Sequence, residues 1–205
     1  MMGRASDLDS PLGQDDLSVR RAAKTAIGAA GVWLIGIAPI PRVYTEPDAA
    51  KRLELLKAGR VEWVLGEHLA AAGTAAVPAA FARLAIALPA GRAKKLVAVA
   101  ASALLAGAPL FVSEIATRTS DIEWFAARRG ALWPFRTYAW LHVVALGSLA
   151  GALWSMPGHR REAAAVGLLA TGTGAVLART GDVVPAVFYL GEQIAAASLL
   201  RRKAG

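Results

Sequence analysis

Five ionisable side chains interrupt stretches of this chain that are otherwise apolar: Glu67 and His68, Glu114, His142 and Glu192, with Asp182 just ahead of the last stretch. A charge in hydrocarbon costs roughly 2.5 to 3.5 kcal/mol on insertion scales, so such residues are functional candidates by default. An apolar site disfavours a carboxylate anion, and a carboxyl group held there keeps a proton it can give away. Aromatic residues recur at helical spacing beside these groups: Trp63 stands four before Glu67, Tyr138 four before His142 and Phe188 four before Glu192, each pair sharing a helix face. Rings facing a protonating acid would stabilise a carbocation through their quadrupoles while excluding water. The chemistry this suits is acid-initiated, metal-free cyclisation or isomerisation of a lipophilic, prenylated substrate. Glu67, Glu192, Glu114, Asp182 and His142 are the catalytic candidates; Trp63, His68, Trp124, Tyr138, Phe188 and Tyr189 are the substrate-binding candidates.

The elements that must position these residues are transmembrane helices. The chain has 205 residues, 56% of them hydrophobic, and a mean hydropathy of +0.44, more apolar surface than a soluble domain of this size needs. The apolar stretches run from Thr25 to Ile40, Val61 to Ala80 (or, extended, Leu88), Lys95 to Ile115, Trp133 to Trp154, Ala163 to Ala178 and Val183 to Leu200. They predict an all-α, polytopic bundle of six helices, with seven as the alternative, in a single domain over residues 22–205 behind a flexible polar tail over 1–21. Laid out antiparallel, the ionisable groups fall in the half of the bilayer opposite the termini, the loop side, where they could converge on one cavity. Most of the aromatic residues fall there too, whereas ordinary aromatic belts mark both interfaces.

Two connections carry structure of their own. Pro47 to Arg60 reads as an interfacial helix with Ala49, Leu53 and Leu56 on its apolar side. Thr117 to Leu132 mixes acids, arginines, Trp124 and Phe125, a composition suited to a lid or to an ordinary interfacial loop. Gly147 and Gly151 match the Gly-x-x-x-Gly packing pattern, and Gly172, Gly174 and Pro185 are candidate flexible or kinked points. Thirteen Lys and Arg on the terminal side against ten on the loop side favour cytoplasmic termini in the inner membrane.

Other classes are disfavoured. The formal charge of +8 is spread over every polar loop, which fits anionic lipid headgroups and not a nucleic-acid groove. There is no cysteine, hence no thiol chemistry, and no His-x-x-x-His or Glu-x-x-His spacing, so neither a metal nor another cofactor is expected. Nucleotide-binding and serine-hydrolase motifs are missing.

The segments VEWVLGEHLAAAG, with Glu67, and TGDVVPAVFYLGEQ, with Asp182 and Glu192, place one acid in an early helix and another in a late one. In this the chain resembles the small membrane-bound terpene cyclases of meroterpenoid and indole-sesquiterpenoid pathways, which are all-helical and of about this length, although often drawn with seven spans. The resemblance implies that one acid protonates an alkene or epoxide and a second base removes a proton from the final cation. Each candidate also has a structural reading. Glu67 could sit at the interface, Glu114 could pair with Arg118 in solvent, and His68 and His142 could be satisfied structural histidines. Glu192 has no neighbour in sequence to neutralise it. A proton-coupled transporter, with the acids as a relay, and a non-catalytic accessory protein are the competing classes.

Overall fold

A computed structural model describes residues 11–201, all of whose regular structure is helical. Six long helices form the body: α1 (Pro11–Ile37), α4 (Arg60–Ala87), α5 (Arg92–Ser120), α7 (Trp133–Trp154), α8 (Arg160–Thr180) and α9 (Ala186–Leu200). Each packs on the next in that order, and α9 returns to α1, so the six close a ring; α9 also touches α7 across it. Short connections make the neighbours antiparallel. Three short helices cover one end of the ring: α2 (Arg42–Thr45) and α3 (Ala49–Ala58) between α1 and α4, and α6 (Ile122–Ala126) between α5 and α7. This capped end is the loop side.

Four of the helices, α4, α5, α7 and α8, are long and apolar enough to cross a membrane. Large apolar side chains such as Leu65, Ile86, Leu105 and Leu168 point outward from them, as they do from helices bathed in lipid and rarely from soluble ones. The outer two of the expected six differ. Helix α9 is apolar but only 15 residues long, because Pro185 caps its start instead of kinking its interior, and Val183 and Val184 belong to the connection. At 1.5 Å per residue it reaches about 22 Å, short of a hydrocarbon core of about 30 Å. Helix α1 has the length, but its first half carries Asp15, Asp16, Arg20, Arg21 and Lys24. It begins at Pro11, so the segment 11–21 expected as part of a flexible tail is helical; the rest of that tail, residues 1–10, lies outside the described residues.

The caps follow from local chemistry. Asp48 accepts the backbone N–H of Lys51 at 2.8 Å to start α3, and Asp121 accepts that of Trp124 at 2.8 Å to start α6. Helix α3 falls where an interfacial helix is expected after Pro47, with a correction to its buried face: Leu56 is buried and Leu53 half-buried, while Ala49 is exposed and Arg52 takes the inner position. The guanidinium of Arg52 donates to the carbonyl oxygens of Glu46, Pro47 and Ala126. Three carbonyls satisfy a cation that would otherwise be costly to bury, and the bond to Ala126 ties α3 to α6.

Helix contact is closest between α1 and α4, where glycines remove the side chains that would hold the backbones apart. A Cβ on Gly36 would lie 2.5 Å from the Gly66 carbonyl oxygen, and one on Gly73 would lie 2.7 Å from the Cβ of Trp33. The Gly147/Gly151 pair plays no such part: nothing lies within 4 Å of the Cβ position of Gly147, and Gly151 meets only Leu96. Gly66→Ala should therefore lower stability by about 1–3 kcal/mol through overpacking, and Gly147→Ala should stay within about 0.5 kcal/mol of the parent. Unfolding titrations in mixed detergent read both; equal losses would contradict this assignment of the tight interface.

Candidate functional site

The ionisable groups of the loop-side half form two clusters, not the single cavity expected. The inner one is built by α7 and α9. Tyr138 and His142 lie one turn apart on α7; Phe188, Tyr189 and Glu192 occupy one face of α9. At Gly191 the side chain of Leu146 packs onto α9, 2.7 Å from where a Cβ would stand. A hydrogen bond of 2.9 Å runs between Nδ1 of His142 and Oε1 of Glu192, with both side chains at most 3% exposed. The second carboxyl oxygen of Glu192, Oε2, is buried with no partner. A buried acceptor left unpaired costs about 1–3 kcal/mol, and Oε2 of Glu114 in the outer cluster is likewise buried without a partner.

Rings enclose the pair. Phe188 stacks on His142 with centroids 4.8 Å apart, and Tyr138 is tilted against the imidazole at 4.3 Å and meets Phe188 edge-on at 6.2 Å. Phe111 of α5 stacks on Tyr138 at 4.4 Å, and Trp33 of α1 stacks on Tyr189 at 4.1 Å. The phenols continue a polar string: the Tyr138 and Tyr189 hydroxyls are 2.9 Å apart, Tyr189 is 2.8 Å from Oγ1 of Thr74, and Thr74 donates to the Ala70 carbonyl at 2.9 Å. All these rings are essentially inaccessible to solvent and fill the middle of the bundle. Open grooves lie elsewhere, one of about 580 Å³ beside α3 and one of about 500 Å³ between α7 and α8; neither is lined by His142 or Glu192.

The outer cluster lies beneath the cap. Glu67, on α4, is buried and accepts the Tyr44 hydroxyl at 2.8 Å. Roughly a third of Tyr44 is open at its outer edge, 36%, while its hydroxyl points onto the buried acid. Burial of that hydroxyl, and then the neighbouring Glu67 charge, push the Tyr44 phenol above its ordinary range and keep it a donor. Arg118 bonds Glu114 at 2.7 Å, the i,i+4 pair anticipated on α5 but largely withdrawn from solvent. Its guanidinium is sandwiched between the rings of Phe111 and Phe125, each centroid 5.2 Å away. Trp63 stacks on Phe125 at 5.0 Å and is tilted against Tyr44 at 5.9 Å. Phe111 touches both Arg118 and Tyr138, so it separates the two clusters by the thickness of a ring.

No family model, curated protein or solved structure shows significant similarity to the chain. The geometry alone carries the functional reading.

Three candidates lie apart from both clusters. Asp182 is exposed in the α8–α9 connection, where it accepts the Val183 N–H at 2.7 Å, a turn-forming role. His68 faces outward and is bonded through Nδ1 to the Val64 carbonyl of its own helix at 2.7 Å, because it lies about 100° around α4 from Glu67. Trp124 packs over Gly130, and Phe125 takes the inner position expected of it. Conversely, Trp33, Tyr44 and Thr74 belong to the site and were not singled out. Trp33 stands close to the loop-side end of the first apolar stretch, which is a legible signal; Tyr44 lies in a connection whose path over Glu67 only folding reveals. Among the described residues, no three His, Asp or Glu side chains converge as a metal site.

His142→Ala removes the only hydrogen-bond partner of the Glu192 side chain among the described residues and should cost about 3 kcal/mol or more in unfolding experiments, and His142→Leu with Glu192→Met should recover most of that loss. A single variant as stable as the parent would show that the pair is not coupled.

Proposed function

We propose that this chain is a multi-pass protein of the inner membrane, termini cytoplasmic, in which the ring-caged His142–Glu192 pair transfers protons to and from a lipophilic isoprenoid substrate. The observation that carries this reading is the hydrogen-bonded acid–base pair, buried among stacked rings with one carboxyl oxygen unpartnered. Glu192, as the acid, gives its proton to a terminal alkene or epoxide. The cation so formed is held against the faces of Phe188, Tyr138 and Phe111 while a new carbon–carbon bond closes the ring. Loss of a proton from a carbon beside the final cation restores neutrality, with His142 or the Glu192 carboxylate as acceptor. Product and substrate then have the same mass, the balance of a cyclase or isomerase, and the same chemistry as in the membrane terpene cyclases that the sequence resembles. In this scheme the substrate arrives through the lipid and takes space that the rings now share with one another. Glu67, Tyr44, Glu114 and Arg118 form the polar closure at the loop-side end.

A second reading, proton-coupled transport, is favoured by one observation: the rings fill the centre of the bundle, so the pair could load and release protons without enclosing a large substrate. The experiment that separates them is mass spectrometry of products after expression with linear prenylated indoles, prenylated phenols and their epoxides. An isomeric product should form, and Glu192→Gln, which preserves shape without a transferable proton, should lower turnover about 10²- to 10⁴-fold in a folded protein. Unchanged turnover in that variant rejects the acid assignment. No conversion, together with proton uptake by proteoliposomes that Glu192→Gln abolishes, would establish the transport reading instead.

A further inference from the structure

The groove of about 500 Å³ between α7 and α8 opens at the loop-side end and belongs to neither cluster. Arg136 and Arg179 stand at its mouth, and Trp140 and Leu177 line it below. Arg136 is not a loose surface arginine. It donates from Nε to the Gly181 carbonyl at 3.2 Å, and its guanidinium lies where a side chain on residue 181 would be. Gly181 is left-handed, φ 70°, and ends α8, so one glycine both caps the helix and makes room for the cation. The Nη atoms of Arg136 make no hydrogen bond within the protein, and neither Arg136 nor Arg179 has a carboxylate within 4.0 Å among the described residues. Asp182, the acid nearest in sequence, is engaged with the Val183 N–H.

Below the arginines the groove becomes apolar. A Cβ on Gly174 would lie 3.3 Å from Val143 and 3.8 Å from Trp140, so α8 lies close against α7 there. Trp140 is 44% exposed, and Val144, one turn further along α7, continues its open apolar face. Two unpaired guanidinium groups at the membrane face, above an indole and an aliphatic strip, match a molecule with an anionic phosphate and long hydrocarbon tails.

We propose that this groove is a binding site for an anionic phospholipid of the surrounding leaflet: the phosphate is held by Arg136 and Arg179, and an acyl chain lies along Trp140 between α7 and α8. The site is independent of the chemistry at His142 and stands whether that pair serves catalysis or transport.

Delipidated protein in neutral detergent is titrated with dioleoyl-phosphatidylglycerol, with dioleoyl-phosphatidylcholine and with inorganic phosphate, and binding is followed by native mass spectrometry and intrinsic tryptophan fluorescence. Phosphatidylglycerol should bind with a change in Trp140 emission that Trp140→Phe removes. Each arginine near a membrane surface contributes about 1 kcal/mol, so Arg179→Gln should weaken that binding about fivefold and Arg136→Gln with Arg179→Gln about twenty-five-fold. The Arg179 side chain makes no hydrogen bond among the described residues, so its variant tests the site even if loss of Arg136 disturbs the end of α8. Equal affinity for phosphatidylcholine, unchanged affinity in Arg179→Gln, or displacement of the lipid by millimolar inorganic phosphate would overturn the proposal.

Discussion

A carboxyl group deep in an apolar helix bundle has no water to turn to, and the partner it needs must come from another helix. Glu192 meets that requirement through His142, and much of the loop-side half is arranged around the contact. Leu146 of α7, one turn from His142, packs against α9 at Gly191 beside this bond. On the same helix Phe188 and Tyr189 turn inward, where Phe188 covers the imidazole and Tyr189 meets Tyr138, Thr74 and Trp33. One helix contact thus organises side chains from α1, α4, α7 and α9 into a closed cage. Of the two carboxyl oxygens of Glu192, Oε1 takes the bond to His142 and Oε2 faces the cage without a partner among the described residues.

The capped end obeys the same rule with different partners. Arg52 and Arg118 are both buried, and each is compensated by a different means: Arg52 by backbone carbonyls, Arg118 by Glu114 and two aromatic faces. The cap has its own small apolar core, formed by Val43, Leu56, Trp63, Ile122 and Ala126 and separate from that of the bundle. It is attached to the bundle through Trp63, through the Tyr44–Glu67 bond and through the ring of Phe125 against Arg118.

Much of this was legible in the residues. Hydropathy places the helices to within a few residues over most of the body, and the antiparallel layout puts Glu67, Glu114, His142 and Glu192 at the loop-side end, where they are found. Spacing of four places Tyr138 on His142. Spacing says nothing about which face of a helix turns inward, and for that reason His68 and Trp124 were candidates and Trp33 was not. Asp182 is a candidate in the sequence because it stands just ahead of an apolar run, although Gly181 before it and Pro185 beyond it make that segment a turn. The glycines were misread in the same way: Gly147 and Gly151 fit a packing pattern, whereas Gly36, Gly66, Gly73 and Gly191 make the close contacts.

The sequence by itself determined that this chain is helical and apolar enough for a membrane, and that its acids and rings gather in one half. Those are properties of composition and one-dimensional order, which act on each helix separately. Only the tertiary structure decided that the acids divide into an inner pair and an outer cluster, that Glu192 belongs to His142 and Glu67 to Tyr44, and that a ring of Phe111 stands between them. The physical reason is that a buried polar group is satisfied across helices, so its partner is set by helix rotation and by where a missing Cβ lets two backbones meet.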